Sequence, residues 1–269
     1  NFRVIGLGGS TLGSQAIYQF LSQKIKKNFR FIDNLEPLPN KDYKKKYVNL
    51  IISKSGNTIE TIANANVLIN KRDKNIFLTE NKKSYLYLLA QKLKSEIVHH
   101  NNFIGGRYSV LSEVGMLPAE LMNLDVGKFK QFNFLIKNKI FLKNLISNVA
   151  AKLYFIKNKK YNSIIINYDS KSENFFKWYQ QLVAESLGKN RKGILPFISN
   201  MPKDNHSVMQ LYLDGFQNNF FTFFYVHEKK SEKLKNNLLL SEKFLKNKNF
   251  SNILYAQKKA SETVFDKRK

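Results

Sequence analysis

The sequence contains no cysteine, which excludes disulfide staples and thiolate nucleophiles together. Histidine is nearly as scarce. His99, His100, His206 and His227 are the only four, and their spacing is not that of a metal-ligand set, so no metal site is expected. Long hydrophobic runs are also missing: no apolar stretch approaches the roughly 20 residues needed to cross a bilayer. A basic-then-apolar leader is absent at Asn1, so a cytoplasmic protein with no membrane contact is expected. Acidic residues number 20 against 45 basic ones, leaving a formal charge of +25. Such a charge suits nucleic acid. Yet only six of the basic residues are Arg, and the lysines are strewn along the chain among asparagines rather than interleaved with aromatics in one segment. A compositional Lys/Asn bias is therefore preferred to a nucleic-acid face, with steering of small anions as its consequence.

What remains is ample for a core. The chain has 269 residues, 43% of them hydrophobic, and at roughly 150 residues per domain two domains are expected. Apolar, β-compatible runs at Phe2–Leu7, Phe29–Asp33, Tyr47–Ile52, Asn75–Leu78 and Glu96–Val98 alternate with helical patterns at Leu12–Ile25, Thr58–Asn70 and Lys83–Leu93. This alternation predicts an α/β fold with a mainly parallel sheet covered by helices on both faces. A helix over Ser112–Met122 leads to Asp125-Val126-Gly127, where the boundary between residues 1–125 and 126–269 is placed. A second α/β run follows. Helices are expected at Leu142–Ile156, Phe175–Leu187 and Glu228–Lys246, and strands at Asn162–Asn167, Gly193–Ile198 and Asn219–Val226.

Two segments suit an anion. Gly6-Leu7-Gly8-Gly9-Ser10-Thr11-Leu12-Gly13 joins a strand to a helix, so its backbone can approach a ligand while helix N–H groups point at it. Dinucleotide binding is a rival reading, with Asp33 as a ribose-binding acid. Ser53-Lys54-Ser55-Gly56-Asn57-Thr58-Ile59-Glu60-Thr61 again follows a strand and opens a helix, with four hydroxyls in one short turn. An ordinary capping cluster, with Ser55 or Asn57 as the cap, explains it equally well.

Three further segments carry reactive groups. Gly105-Gly106-Arg107 sets an Arg behind two glycines in a chain that otherwise uses Lys; a surface Arg in a turn is the plainer reading by itself, though a guanidinium can also hold two oxygens of an enediolate. Gln181 and Glu185 fall on one face of a helix, and a carboxylate there could move a proton between adjacent carbons. His206, in Asp204-Asn205-His206-Ser207, is a loop imidazole in polar company, suited to shuttling a proton. His99 and His100 read as strand-edge or loop residues, His227 as structural, and Trp178 as core packing.

Together these segments resemble the phosphoglucose isomerase family. The glycine turn is similar to that family's G-[IL]-G-G-S-x-L-G, and the hydroxyl turn to its S-K-[ST]-G-[ST]-T-x-E-T, with Asn57 at a Thr/Ser position. Residues 105–115 resemble G-G-R-[FY]-S-x-x-S-x-V-G, residues 181–189 resemble Q-x-x-x-E-S-x-G-K, and residues 204–210 resemble D-x-H-S-x-x-Q. The resemblance implies two sugar-isomerase-type three-layer αβα subdomains with mainly parallel five-stranded sheets. It implies that Ser53, Lys54, Ser55, Thr58 and Thr61 hold a sugar phosphate, and that Gly9, Ser10 and Gln181 line the sugar site. Glu185 would be the base, Arg107 the enediolate partner and His206 the ring-opening group. The implied reaction, in glycolysis and gluconeogenesis, interconverts glucose 6-phosphate and fructose 6-phosphate without a cofactor. His206 would come from the neighbouring subunit of a homodimer. A closing region with a Gln and a ring-opening Lys is not found after Val226, so the natural chain is expected to be longer at both ends. A non-catalytic sugar-phosphate regulator on the same fold is the alternative.

Overall fold

Nearly every apolar run of the first half becomes a strand. The computed structural model describes residues 1–36, 46–228, 231–234, 245 and 248–268. The strands β1 (Phe2–Ile5), β2 (Phe29–Ile32), β3 (Val48–Ile52), β4 (Lys74–Glu80) and β5 (Glu96–His100) form one sheet in the order β2-β1-β3-β4-β5. All four pairings are parallel. Alternate residues supply the two faces, as the strand period demands. Val4, Leu50, Ile52, Ile76 and Leu78 pack under α1 (Leu12–Phe20) and under a helix at Glu113–Leu121, through Ile17, Val114, Met116 and Ala119. Ile5, Ile51 and Phe77 pack on the opposite side with Ala65, Leu68, Leu86 and Ala90, from α2 (Ile59–Leu68) and α3 (Tyr85–Leu93). The helix at Glu113–Leu121 is α4. The result is the expected three-layer αβα arrangement.

A buried polar ladder crosses the amino-terminal side of this sheet. Arg3, Asn49 and Asn75 are register partners on β1, β3 and β4. The Arg3 guanidinium donates to Asn49 Oδ1 at 3.4 Å and to the Leu68 carbonyl at 3.0 Å, and Asn49 Nδ2 donates to Asn75 Oδ1 at 2.8 Å. Burial is tolerable because the guanidinium terminus and the two amides find partners in one another and in the Leu68 carbonyl.

The chain forms two compact units, Asn1–Ser147 with Asn174–Ser186, and Asn148–Glu173 with Leu187–Lys269. The helix carrying Glu185 therefore packs with the first unit, whereas the sequence reading grouped it with residues 126–269. In order after α4 come α5 (Asn133–Lys137), α6 (Lys139–Lys157), β6 (Asn162–Asn167), α7 (Glu173–Leu187), β7 (Leu195–Asn200), α8 (Met209–Asp214), β8 (Asn219–Phe224) and α9 (Phe250–Lys267). The second sheet, order β7-β6-β8, is parallel and has three strands among the described residues instead of the five expected. Only three segments of this half carry apolar β-type runs. Its core joins Ile164, Ile166, Tyr168 and Met201 to Met209, Phe221, Phe223 and Leu254. β7 starts and ends two residues later than expected, with Pro196 accommodated because β7 is an edge strand. The helix expected at Glu228–Lys246 falls largely outside the described residues. Its described part at 231–234 is not helical, and Lys233 instead bridges Asn249.

Candidate active site

The strand order 2-1-3-4-5 reverses direction between β1 and β3, and in open α/β sheets ligands bind outside the carboxyl ends of the strands at such a point. The two anion-ready turns leave those two strands. The glycine turn follows β1 and runs through a 3-10 turn, Gly8–Ser10, into α1; the hydroxyl turn follows β3 and enters α2. Both helices begin without a side-chain cap, at Thr11 and Thr58, while α3 and α4 are capped by Ser84 and Ser112. The capping-cluster reading of the hydroxyl turn therefore does not hold. Ser55 Oγ accepts from the Asn57 N–H at 3.2 Å, and Asn57 Oδ1 accepts from the Tyr85 N–H at the start of α3 at 2.9 Å. Helix N–H groups free of a cap are a ready anion site.

Within the turn, the Ser53 and Thr58 hydroxyls lie 2.9 Å apart. Ser53 and Thr61 are buried, and the Thr61 hydroxyl has no hydrogen-bond partner among the described residues. Gly56 has φ +65°, and a side chain there would collide with Ser84. Lys54 turns its ammonium away to the carbonyls of Asn102 and Ile104, at 3.0 and 2.9 Å.

The Arg segment meets the glycine turn backbone to backbone. A Cβ on Gly9 would strike the Gly106 carbonyl, and Ser109 Oγ, buried beneath, donates to Gly106 O at 2.7 Å and to Gly9 O at 3.3 Å. α7 completes the cluster. Arg107 Nε donates to Ser186 Oγ at 2.9 Å, its terminal nitrogen lies 3.6 Å from Glu185 Oε2, and its guanidinium stacks 4.5 Å over the Tyr108 ring. Gln181 Nε2 donates to Glu185 Oε1 at 2.8 Å, and a Cβ on Gly8 would come within 2.9 Å of that same nitrogen. The structure thus gathers Gly9, Arg107, Gln181 and Glu185, the carboxylate held between an amide and a guanidinium. Ser10 lies in the same 3-10 turn as Gly9.

Further residues surround this cluster or lie apart from it. His206 is exposed in a 3-10 turn, Lys203–His206, of the second unit, after β7; Asp204 shapes that turn by accepting from the Asn200 N–H at 2.8 Å and from Ser199 Oγ at 3.1 Å. Asp33 is engaged by Gln15 Nε2 at 2.7 Å. Trp178, read as core packing, donates its indole N–H to the Arg107 carbonyl at 3.3 Å, and Ser186 also meets the Tyr108 hydroxyl at 3.0 Å. His100, read as a strand-edge or loop residue, ends the edge strand β5, and it is also buried, at 2% exposure, in contact with the Glu113 carboxylate. Burial pushes the Glu113 carboxyl up, but hydrogen bonds from its own backbone N–H, His100 and the Asn101 N–H outweigh it and hold the group below the usual range.

Uncapped helix starts at the switch point of a parallel sheet covered by helices on both faces, with a carboxylate, a guanidinium and an amide gathered at the first of them, are the architecture of the sugar-isomerase fold. Solved structures share that fold. A hypothetical protein of Thermus thermophilus superposes with a TM-score of 0.81 at 23% identity, covering 98% of this chain and 69% of its own. A glucose-6-phosphate isomerase of Chlamydia trachomatis gives 0.71 at 20% identity, over 97% of this chain and 55% of its own. The sequence profile of phosphoglucose isomerase matches residues 1–199. The glucose-6-phosphate isomerase of Methanocaldococcus jannaschii is 36% identical over 97% of this chain and 69% of its own length. The chain belongs to the phosphoglucose isomerase family. It spans between 47% and 69% of the length of the curated relatives it matches.

Proposed function

We propose that this chain carries the catalytic centre of a glucose-6-phosphate isomerase, interconverting glucose 6-phosphate and fructose 6-phosphate through a cis-enediol. The observation that carries the reading is the Glu185 carboxylate, 2.8 Å from the Gln181 amide and 3.6 Å from the Arg107 guanidinium. The substrate phosphate is bound by the hydroxyls and backbone N–H groups of the turn from Ser53 to Thr61, including Ser55, Thr58 and the backbone of Lys54, and the sugar lies along Gly9, Ser10 and Gln181. His206 assists opening of the pyranose ring. Glu185 then removes the proton from C2 of the aldose; the C2–H electron pair forms the C1=C2 bond and the C1=O1 π pair moves onto O1, which takes up a proton. The same carboxyl returns its proton to C1 while O2 loses its own and becomes the ketone. Arg107 leaves Glu185 to hold the enediolate oxygens, a contribution of about 3 kcal/mol by analogy with other oxyanion donors. No redox or metal step is required by this proton traffic.

His206 acts from a second copy of the chain in a homodimer. Consistent with a partner surface, α6 has no buried residue and leaves Ile140, Ile146, Leu153 and Tyr154 more than 60% exposed. The two compact units are taken as the two sugar-isomerase-type subdomains, with the helix carrying Glu185 in the first rather than with residues 126–269, and the protein as cytoplasmic; no described helix is long and apolar enough to cross a membrane. The test is to follow glucose 6-phosphate formation from fructose 6-phosphate with the full-length protein. Binding of the sugar phosphate without turnover would establish the regulator instead.

A further inference from the structure

The hydroxyl turn and the Arg107 segment are joined by a side chain that the reaction scheme leaves unused. Lys54 sits in the anion turn, yet its ammonium donates to the Asn102 and Ile104 carbonyls at 3.0 and 2.9 Å, just ahead of Gly105-Gly106-Arg107. Glu80, buried at the end of β4, lies 3.5 Å from that ammonium and 2.5 Å from Lys82. Its carboxylate keeps Lys54 pointed inward. The Ile104 carbonyl receives a second donor: His100 Nε2 lies 3.2 Å away, and the other ring nitrogen rests on Glu113, which also accepts from the Asn101 N–H at 3.1 Å. Two lysine bonds and one histidine bond therefore fix the segment immediately before two glycines, where the backbone would otherwise be loosest. Gly106 itself has nothing within 4 Å of where a Cβ would stand.

We propose that the Lys54 side chain is a positioning residue and not a phosphate ligand: it couples the anion turn to Arg107, with His100 as the second anchor of the same carbonyl. The inference rests on the isomerase reading, because the coupling matters where Arg107 must meet a developing enediolate. Misplacing a catalytic group by about an ångström costs up to about 100-fold in rate. A phosphate ligand, by contrast, is felt mainly in substrate affinity.

The experiment uses Lys54→Met, Lys54→Arg and His100→Asn in the full-length protein. The Asn keeps a polar group for Glu113 while withdrawing the donor to Ile104. Three quantities are measured: kcat, the Kd of inorganic phosphate by calorimetry, and acrylamide quenching of Trp178, whose indole is bonded to Arg107. Lys54→Met is expected to lower kcat by about 10- to 100-fold, to leave phosphate Kd within about threefold, and to raise Trp178 quenching. Lys54→Arg, which retains donors for both carbonyls, is expected to restore kcat to within about threefold. A weakened phosphate Kd with kcat retained would overturn the proposal, as would unchanged kcat and quenching. If thermal melting shows Lys54→Met unfolded, His100→Asn decides by the same three readings. Wild-type protein that binds phosphate without turnover would remove the isomerase reading, and the quenching comparison would then judge the coupling by itself.

Discussion

The hydroxyls of Ser53 and Thr58 are 2.9 Å apart and satisfy one another across the turn at the end of β3. A phosphate arriving there replaces one neutral hydrogen bond by several charge-assisted ones. Ser53→Ala and Thr58→Val are each expected to raise KM for the sugar phosphate by about tenfold with kcat nearly unchanged, a loss of about 1.4 kcal/mol of uniform binding. Thr61→Val should act likewise, since it withdraws a buried hydroxyl with no other partner among the described residues. Steady-state kinetics in both directions check this.

Replacing Glu185 by Gln keeps the shape and removes the base. Turnover is expected to fall by at least about 1,000-fold, while the Kd of inorganic phosphate stays within about threefold. Ser186→Ala is the milder companion. It deprives Arg107 Nε of its acceptor at 2.9 Å, and kcat should drop by about tenfold. Single-turnover measurements separate these effects from product release.

Gly9 and Gly106 offer a contrast between adjacent backbones. A methyl at Gly9 strikes the Gly106 carbonyl, whereas one at Gly106 meets open space. Gly9→Ala is expected to destabilise the fold by about 1–3 kcal/mol and to lower kcat/KM by more than tenfold, with Gly106→Ala close to wild type in melting temperature. Equal tolerance at both positions would contradict the close approach.

Acid should loosen the Arg107 segment first. Glu80 is held below the usual carboxylate range, chiefly by the hydrogen bond from Lys82, and Glu113 is lowered by its hydrogen bonds despite burial. A carboxyl lowered in the folded state contributes stability above its ordinary value, and that contribution is lost as pH falls through the lower folded value. Melting temperature is therefore expected to decline below about pH 4.5, the ordinary glutamate value, with a shallower decline in Glu113→Gln. Circular dichroism melts across pH 3 to 6 measure it.

Much of the first unit was legible because its strands are near-continuous apolar runs and the turns between them carry glycine or hydroxyls. The pairs that organise the site were not. Trp178 with Arg107, Tyr108 with Ser186 and Lys54 with Ile104 lie far apart in sequence, and no local period encodes which way a side chain turns. His100 was legible as a strand-edge residue, the last of the edge strand β5, but its burial to 2% exposure was not, because its partner Glu113 lies on α4. The second sheet was legible as strands but not as a count. The expected number came from resemblance alone, and the described residues supply three.

The polar ladder through Arg3, Asn49 and Asn75 acts at a distance as a gauge. Asn49 and Ser53 are four positions apart, roughly 13 Å of extended chain, so locking amide against amide at one rim sets how far each turn protrudes at the other. Slippage of β3 by one position would exchange the helix layers that Leu50, Ile51 and Ile52 face and would also lower the anion turn relative to the glycine turn beside it. An unglamorous set of interior amides thereby calibrates the reach of groups that never touch it.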